Sequence, residues 1–296
     1  MRTDLKVFVV LTLSMVFWAF SFVWIKIAYE VFLPLTTVTL RLVLSSTMMM
    51  AMFKIMGKLQ PVAATDRKWF VLLAFFEPFM YFMGESFGLQ VVSSTLGSVI
   101  VSTIPLFTPI TAWLFLRERL SALNVVGIMV SFVGVAIMVV ERDFTLAAPA
   151  YGIALMFLAV AAALGYAIVL KHLSAKYNPF SIITWQNFIG IFMFLPFFFT
   201  FEWKTFVSTP ITMRAMSALL QLTVFASSLA FIFFTYGVQR IGVSRANVFT
   251  NTIPVFTAVF AYWLLDEPMN LNKWLGMGVV ILGLSVTQIR KRANAV

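Results

Sequence analysis

Apolar residues form ten long runs along the chain, and short polar links separate the runs. Each run is close to the ~20 residues that an α-helix needs to cross a hydrocarbon core ~30 Å thick. The runs lack the alternation of apolar and polar residues that is typical of strands, and backbone in lipid must satisfy its own hydrogen bonds. The pattern predicts an all-α polytopic membrane protein with ten transmembrane helices, near residues 7–25, 35–55, 69–90, 94–116, 123–140, 150–170, 180–201, 212–238, 243–264 and 272–289.

Basic residues are divided unevenly between the two sets of links. With the N-terminus defining one face, fifteen Lys and Arg residues fall on that face and five on the other, and Arg41 lies inside a span. Because cytoplasmic loops carry an excess of Lys and Arg, both termini are predicted to be cytoplasmic, in a bacterial inner membrane. The first apolar segment has no small-residue cleavage pattern, so it is interpreted as a retained span.

The chain contains a duplicated unit. Residues 87–140 and 236–289 align without a gap at an offset of 149. The alignment matches these identical pairs: Gly88 with Gly237, Gln90 with Gln239, Thr103 with Thr252, Pro105 with Pro254, Glu118 with Glu267, Gly127 with Gly276 and Gly134 with Gly283. Five spans per half is an odd number, so the second half enters the membrane upside down. Such inverted repeats are typical of transporters. We predict one membrane transporter domain built from two five-helix repeats, over 1–143 and 149–292.

Composition supports a membrane protein. Only 11% of the residues are charged and 61% are hydrophobic, whereas soluble domains contain about 25% charged residues. The formal net charge of +10 comes from basic residues spread between apolar segments, so we expect no nucleic-acid partner. The chain has no cysteine, which excludes disulfide and thiolate chemistry.

Motifs of enzymes are missing from the sequence. It contains no HExxH, no GxSxG, no phosphate-binding Gly-rich loop before a helix and no cluster of metal ligands. The links between spans leave no room for a nucleotide domain, which excludes an ATP-driven pump. We therefore expect no enzymatic activity, cofactor or metal.

Several motifs in order resemble a known family. They are Trp18–Phe22 in the first span, Pro34 with Arg41 in the second, and a repeated proline-containing span that ends in Leu116–Leu120 and in Leu265–Met269. With a Gly-rich span after each copy, the chain resembles EamA-type carriers of the drug/metabolite transporter superfamily along nearly its whole length. The resemblance implies ten helices and carriage of small metabolites, often outward, including amino acids. One departure is Ala19, where the family usually has Gly.

Prolines mark candidate helix breaks in the two halves. Pro105 and Pro254 lie near the centres of spans four and nine and each frees a backbone carbonyl, at Val101 and Thr250. Interruptions at corresponding positions of two halves indicate a midplane binding site; the alternative is a packing kink. The polar neighbours either bind a ligand or hold helices together, and they are Ser98, Ser102, Asn247 and Asn251.

Glu77 precedes Pro78 inside span three, roughly 12 Å into the hydrocarbon core at the helical rise per residue. An ionised carboxylate at that depth is costly. Glu77 is therefore paired, facing a wet cavity or protonated. The functional interpretation is a proton-coupling site or a site for a substrate amine. The alternative is a protonated carboxyl that bonds to the carbonyl released by Pro78.

Arg41 and Glu85 lie at similar depth, about 9 and 8 Å inside the opposite boundary. Pairing would lower the cost of burying both charges, so we expect an intramembrane charge pair that ties spans two and three. Binding of a substrate carboxylate is the alternative. Glu118 and Glu267 end spans four and nine, and their repetition suggests a structural role in holding loop N–H groups at the start of the next helix.

Aromatic side chains are candidates for the wall of a cavity, notably Trp18, Tyr81, Trp185 and Tyr236. The alternative is that they face lipid or neighbouring helices. Stripes of small residues at Gly127, Ser131 and Gly134, and at Gly276 and Gly283, predict close helix packing.

These features together predict a secondary active transporter. It would move a small metabolite, an amino acid or aromatic compound, outward by alternating access between the two halves. Two alternatives remain open: a membrane enzyme or lipid-handling protein that uses Glu77 and Arg41 on a headgroup, and a passive channel. Substrate, coupling ion and oligomeric state are left open by the sequence.

Overall fold

A computed structural model describes residues 5–107, 122–140 and 145–288 of the chain. Glu118, the second part of the predicted span at 94–116 and the residues at both termini lie outside the described residues. The helices, numbered in chain order, are α1 (Leu5–Ala28), α2 (Pro34–Ile55), α3 (Ala64–Val91), α4 (Ser94–Phe107), α5 (Ala122–Val139), α6 (Ala150–Leu173), α7 (Pro179–Ser208), α8 (Met213–Ile241), α9 (Arg245–Leu265) and α10 (Leu271–Gln288).

The described part of the chain is helical, as the hydrophobic pattern predicts. Seven of its helices are long and apolar enough to cross a membrane, and α4, α5 and α10 are shorter apolar helices. Large apolar side chains such as Trp263, Phe201 and Met129 are exposed on the surface of the bundle. Such a surface suits lipid and not water, so the prediction of a multi-pass, all-α membrane protein is confirmed.

Two clusters of polar contacts tie the helix ends together. In the first, which we name the Gln60 cluster, Gln60 accepts a hydrogen bond from the Asn178 backbone at 2.7 Å and Lys176 pairs with Asp66 at 2.9 Å. The Gln239 amide donates to the backbone of Tyr177 at 2.8 Å in the same cluster. These contacts bring the α2–α3 link, the α6–α7 link and the end of α8 to one end of the bundle.

The second cluster, which we name the Glu267 cluster, lies where α1, α3 and α9 end. Glu267, after α9, accepts hydrogen bonds from the backbone N–H groups of Ser94 and Thr95 at the start of α4, at 3.1 and 3.3 Å. Lys26, near the end of α1, donates to the carbonyl of Leu89 near the end of α3. The links at alternate helix ends thus gather separately, as expected for a chain that crosses back and forth.

Glycines allow α5 and α10 to pack face to face. A Cβ atom added at Gly134 would lie 2.6 Å from the backbone nitrogen of Val280, and one at Gly276 would lie 2.7 Å from the Gly134 carbonyl. Between them the Ser131 hydroxyl donates to the Val280 carbonyl at 3.2 Å. The predicted role of the small-residue stripes in close packing is confirmed, and the two packed helices are the last ones of the two repeats.

Irregular helical turns occur at matched positions in the two halves. The π-helical turns of Phe75–Met80 interrupt α3 and those of Leu222–Ala230 interrupt α8. The offset of 149 that relates the repeats carries 75–80 onto 224–229, inside the second interruption. π-Helical turns leave the regular hydrogen-bond ladder and are frequent at functional sites. The two matched interruptions are therefore candidate positions for a functional site.

The repeated prolines begin new helical segments. In α9 a 3₁₀ turn over Val248–Thr252 precedes Pro254, which lies in the first turn of the next segment. The Thr250 carbonyl, expected to be free, accepts a hydrogen bond from the N–H of Ile253. The turn beside Pro105 in α4 also has a hydrogen bond between residues three apart: the Leu106 N–H donates to the Thr103 carbonyl at 2.9 Å. Proline is well tolerated in a first turn, where its missing N–H has no partner in any case.

Candidate functional site

A central cavity lies among α1, α2, α3, α4, α6, α8 and α9, at the level of the interrupted helices. It leaves about 700 Å³ of space free of protein atoms, including the open space at its mouth. Its wall consists of Trp18, Ser21, Phe22, Arg41, Glu77, Tyr81, Phe82, Glu85, Val101, Ile104, Ala163, Tyr166, Ala167, Phe231, Phe234, Asn247, Thr250 and Ile253.

Three ionisable side chains face this cavity. Arg41, Glu77 and Glu85 retain only 2, 6 and 4% of their exposure, and all three belong to helices of the first half. Charged groups inside a membrane are expensive and mark binding sites or ion pathways. Their convergence on one cavity identifies it as the candidate functional site.

Arg41 is held from two sides. Its Nε donates a hydrogen bond to the Ser227 hydroxyl at 2.7 Å, and its guanidinium carbon lies 4.3 Å from the centre of the Phe82 ring. Its Nη1 has no hydrogen-bond partner. Asn187 supports the arrangement, because its side-chain amide donates to the Ser227 carbonyl at 2.9 Å. The guanidinium is thus oriented by protein groups while most of its donors stay unused.

Glu85 has a different partner from the predicted one. Its Oε1 accepts a hydrogen bond from the Tyr81 hydroxyl at 3.1 Å. Among the described residues, ion pairs within 4.0 Å join Lys176 to Asp66, Arg214 to Glu30 and Lys273 to Glu267, and none joins Arg41 to Glu85. The expected direct contact between Arg41 and Glu85 is therefore absent: both side chains line one cavity, where their charges attract each other, and their hydrogen bonds go to Ser227 and Tyr81.

Glu77 lies at the break in α3. Its backbone is extended, with φ −146° and ψ 118°, inside an otherwise helical stretch, and Pro78 follows it. In the described part of the chain its carboxyl makes no hydrogen bond or ion pair, although it is 6% exposed. The alternative interpretation required a hydrogen bond from the Glu77 carboxyl to a carbonyl released by Pro78, and the described residues show no such bond. A carboxyl that faces the cavity unpartnered is available to a proton or a ligand.

Aromatic rings form a further part of the cavity wall. The Trp18 ring lies 5.1 Å from the ring of Phe231 and 5.1 Å from that of Phe234, measured between centroids. Tyr166 contacts Phe231 edge to face at 6.4 Å. The cavity therefore offers a flat apolar surface together with one cationic group and two carboxyl groups, a combination that suits an amphipathic small molecule.

The second half contributes polar groups from the interrupted part of α9. Asn247 and Thr250 line the cavity, and the Thr250 hydroxyl donates to the Asn247 carbonyl at 2.7 Å. Residues from both halves thus meet at the cavity, which is the arrangement expected where two repeats move about a shared site.

The structure brings together some of the predicted site residues. Those on the cavity wall are Glu77, Trp18, Tyr81, Asn247, Arg41 and Glu85. Ser98 and Ser102 are not on it, since their hydroxyls donate to the carbonyls of Thr95 and Val99 on their own helix, at 2.8 and 2.7 Å.

Three further candidates lie away from the cavity wall. The Trp185 indole donates to the Gln60 carbonyl at 2.9 Å, in the Gln60 cluster. Tyr236 stacks with the guanidinium of Arg240, 5.3 Å from the ring centre. The Asn251 Oδ1 is buried without a hydrogen-bond partner. Pro78, Pro105 and Pro254 each lie next to an irregular turn of their helix.

Sequence reasoning missed Ser227, the partner of Arg41, together with Phe231 and Phe234. Ser227 follows Ala226, which the repeat aligns with Glu77, so the duplication could have drawn attention to this part of α8. The two phenylalanines have no such signal, because phenylalanine is abundant throughout the chain, with 33 residues.

The predicted structural role of Glu267 agrees with its contacts, since its carboxylate accepts backbone N–H groups where a helix begins. The helix is α4 of the first half and not the one that follows Glu267. Glu202, which the sequence analysis did not single out, acts in the same way at the start of α2. Its carboxylate accepts from the backbone N–H and the hydroxyl of Thr36, at 2.6 and 2.8 Å.

Metal-binding side chains do not converge anywhere in the described ranges. No group of three His, Cys, Asp or Glu residues there could hold a metal ion. The cavity provides charge, hydrogen bonding and aromatic surface for a ligand.

Comparisons with known proteins agree with the architecture. The EamA-like transporter family matches residues 5–140 and 150–288. An uncharacterized transporter of Archaeoglobus fulgidus is 30% identical over 291 residues, covering 97% of this chain and all of the relative. The uncharacterized transporter YetK of Bacillus subtilis is 27% identical, covering 86% and 78% of the two chains. A solved crystal structure has the same fold, with a TM-score of 0.68 over 94% of this chain and 98% of the other at 12% identity. The chain therefore belongs to the EamA-like transporter family, and it is a multi-pass membrane transporter by family.

Proposed function

We propose that this protein is a secondary active transporter that moves a small metabolite by alternating access about the central cavity. One observation carries the proposal: Arg41, Glu77 and Glu85 are buried around a cavity that groups from both halves enclose. A membrane protein that needed only stability would avoid buried charges. A cavity that binds and releases a polar solute needs them.

The proposed topology is ten transmembrane helices in two inverted five-helix repeats, over 1–143 and 149–292. Support comes from the gapless sequence repeat, from the matched interruptions in α3 and α8, and from the separation of the Gln60 and Glu267 clusters. Both termini are proposed to be cytoplasmic in a bacterial inner membrane, because most of the Lys and Arg residues fall on the Gln60 side.

Glu77 is the proposed coupling group. Its carboxyl lies at a helix break, faces the cavity and has no partner among the described side chains. Such a group exchanges a proton with whichever side of the membrane has access to the cavity, or it binds a substrate amine. Its counterpart in the second half is Ala226, so the acid has no equivalent that repeat symmetry would explain.

The proposed substrate is an amino acid or an aromatic compound, and the proposed direction is outward. The aromatic wall at Trp18, Phe231 and Phe234 accommodates a flat or apolar body, and the charged groups orient its polar end. In this proposal the protein acts on the location of the solute and not on its covalent structure, so it is not an enzyme.

Transport in proteoliposomes tests the function. Purified protein is reconstituted with internal solutes from a panel of amino acids and aromatic acids, and efflux is followed by mass spectrometry with and without a pH gradient. The proposal requires that a solute leaves the vesicles chemically unchanged, and that external solute accelerates the exit of internal solute. Covalent conversion of a solute or lipid would contradict it in favour of an enzyme, and efflux without counterflow would indicate a channel.

A further inference from the structure

The Arg41 guanidinium is incompletely satisfied by the protein around it. A guanidinium carries five N–H donors, and in the described structure the hydrogen bond from Arg41 is the one that Nε donates to Ser227. Nη1 has no partner, and the side chain is 2% exposed. Buried charged donors without acceptors are strongly unfavourable, which indicates that an acceptor belongs here.

The local contacts orient this cation but leave most of its hydrogen-bond donors unused. Ser227 holds one edge of the guanidinium, and the Phe82 ring at 4.3 Å lies against its face. Ser227 is itself fixed by Asn187, whose amide also donates to the Ser45 hydroxyl at 3.1 Å. Glu85 and Glu77 attract the Arg41 charge across the cavity, but neither carboxylate accepts a hydrogen bond from the guanidinium, and Glu85 accepts one from Tyr81. The remaining donors of Arg41 are thus oriented in advance and left for something that the chain does not supply.

We infer that Arg41 forms a subsite for a carboxylate group of the transported solute. A carboxylate matches the planar fork of a guanidinium and can accept two parallel hydrogen bonds from it. Phosphate esters carry more negative charge, and Glu77 and Glu85 on the same wall would repel them. A monocarboxylate places a single negative charge beside Arg41 and is the class that this cavity suits.

The aromatic side of the cavity defines the rest of the ligand. Trp18, Phe231 and Phe234 pack together on the wall of the cavity that Arg41 also lines, so these rings offer an apolar surface to the body of a solute bound through its carboxylate. We therefore assign the class of amphipathic monocarboxylates with an apolar or aromatic body. This inference rests on the proposed transport function, because it names the chemistry of the solute for the same cavity.

Matched pairs of probes test the subsite on the purified full-length protein. The probes are 3-phenylpropanoate and indole-3-acetate, each compared with its own primary amide, and phenylalanine compared with phenylalaninamide. The measurement is the shift of the thermal unfolding midpoint with probe concentration, since a ligand of the folded state raises that midpoint. We expect saturable shifts with at least one carboxylate and none with its amide. Equal shifts with an acid and its amide, or no shift with any carboxylate at millimolar concentration, would overturn the inference.

Variants assign the effect to Arg41. Arg41→Gln should abolish the carboxylate shift, and Arg41→Lys, which keeps the charge but not the fork, should weaken it at least several-fold. Arg240→Gln, at an arginine that stacks on Tyr236 outside the cavity, is the control and should respond like the wild type. Unchanged carboxylate binding by Arg41→Gln would overturn the inference.

Stability without ligand gives an independent readout. If Arg41 is kept for a ligand, the midpoint of ligand-free Arg41→Gln should equal or exceed that of the wild type, because an incompletely satisfied buried cation is removed. A large fall for both Arg41→Gln and Arg41→Lys would show a structural role and overturn the subsite. Transport separates the two proposals: efflux by the wild type of uncharged or cationic solutes but of no carboxylate would overturn the subsite alone, whereas carboxylate binding without any transport would overturn the proposed function alone.

Discussion

The carboxylate of Glu267, at the end of α9, accepts a hydrogen bond at 3.1 Å from the backbone N–H of Ser94, at the start of α4. This contact joins the end of α9, in the second half of the chain, to the first turn of the matching helix α4, in the first half. Lys273 completes the arrangement, with its Nζ 3.2 Å from the same carboxylate. A helix N-terminus carries partial positive charge and unsatisfied N–H groups, so a carboxylate from the other half stabilises it.

Glu267→Ala should therefore destabilise the protein. We expect a loss of about 0.5–2 kcal/mol, as for removal of a helix cap, measured by chemical unfolding in detergent micelles. Glu30→Gln is the matched control, because Glu30 pairs with Arg214 at the surface with side-chain exposures of 43 and 61%, where ion pairs contribute about 0–1 kcal/mol. Equal stability of Glu267→Ala and the wild type would show that the contact between the halves has no structural role.

Close packing of α5 against α10 gives a second prediction. Gly134→Ala should lower the free energy of unfolding by about 1–3 kcal/mol, the range for overpacked sites, because its Cβ would meet the Val280 backbone at 2.6 Å. Gly278→Ala is the control on α10, where no atom lies within 4 Å of the added Cβ. That variant should be neutral or slightly stabilising, since alanine favours a helix over glycine by about 1 kcal/mol. Similar losses in both variants would contradict close packing at Gly134.

Hydrogen bonding in the cavity gives a third prediction. Tyr81→Phe and Glu85→Gln should be coupled by about 1 kcal/mol in a double-mutant cycle, because their side chains are in direct contact at 3.1 Å. Arg41→Gln combined with Glu85→Gln should also show coupling, because the two charges attract each other across the shared cavity without a direct contact. Additive effects of Tyr81→Phe and Glu85→Gln would contradict the contact between Tyr81 and Glu85.

The fold was largely predictable from sequence because lipid imposes a simple rule. Each span must be apolar and helical, so hydropathy alone indicates the segments that α1, α2 and α6 occupy. The duplication was equally clear, and the small-residue stripes that contain Gly134 and Gly283 predicted close helix packing; that α5 and α10 are the two partners comes from the structure. These features depend on local composition and on repetition, both of which a single sequence records.

The partners of the charged residues were harder to predict. Arg41 and Glu85 lie at similar depths, which suggested a pair, but depth alone does not give the rotation of a helix about its axis. Hydroxyl groups that reach the charges decide the outcome: Tyr81 lies one helical turn from Glu85, and Ser227 is 186 positions from Arg41. Ser98 and Ser102 were misleading because a serine inside a helix can bond to its own backbone.

Transport by Glu77→Gln tests the central claim most directly. The substitution keeps the size and hydrogen-bonding capacity of the side chain but removes its ability to ionise. Proton and solute fluxes are measured together in proteoliposomes, with a pH-sensitive dye inside, an imposed pH gradient and a solute for which the wild type shows counterflow. Glu30→Gln, at the surface, serves as the control for removal of a carboxyl group.

The account predicts that Glu77→Gln keeps a thermal unfolding midpoint close to that of the wild type but loses solute transport driven by the pH gradient and the accompanying proton flux. Glu30→Gln should retain both fluxes. Normal gradient-driven transport by Glu77→Gln across a series of pH values would contradict the account and leave Glu77 with a structural role only.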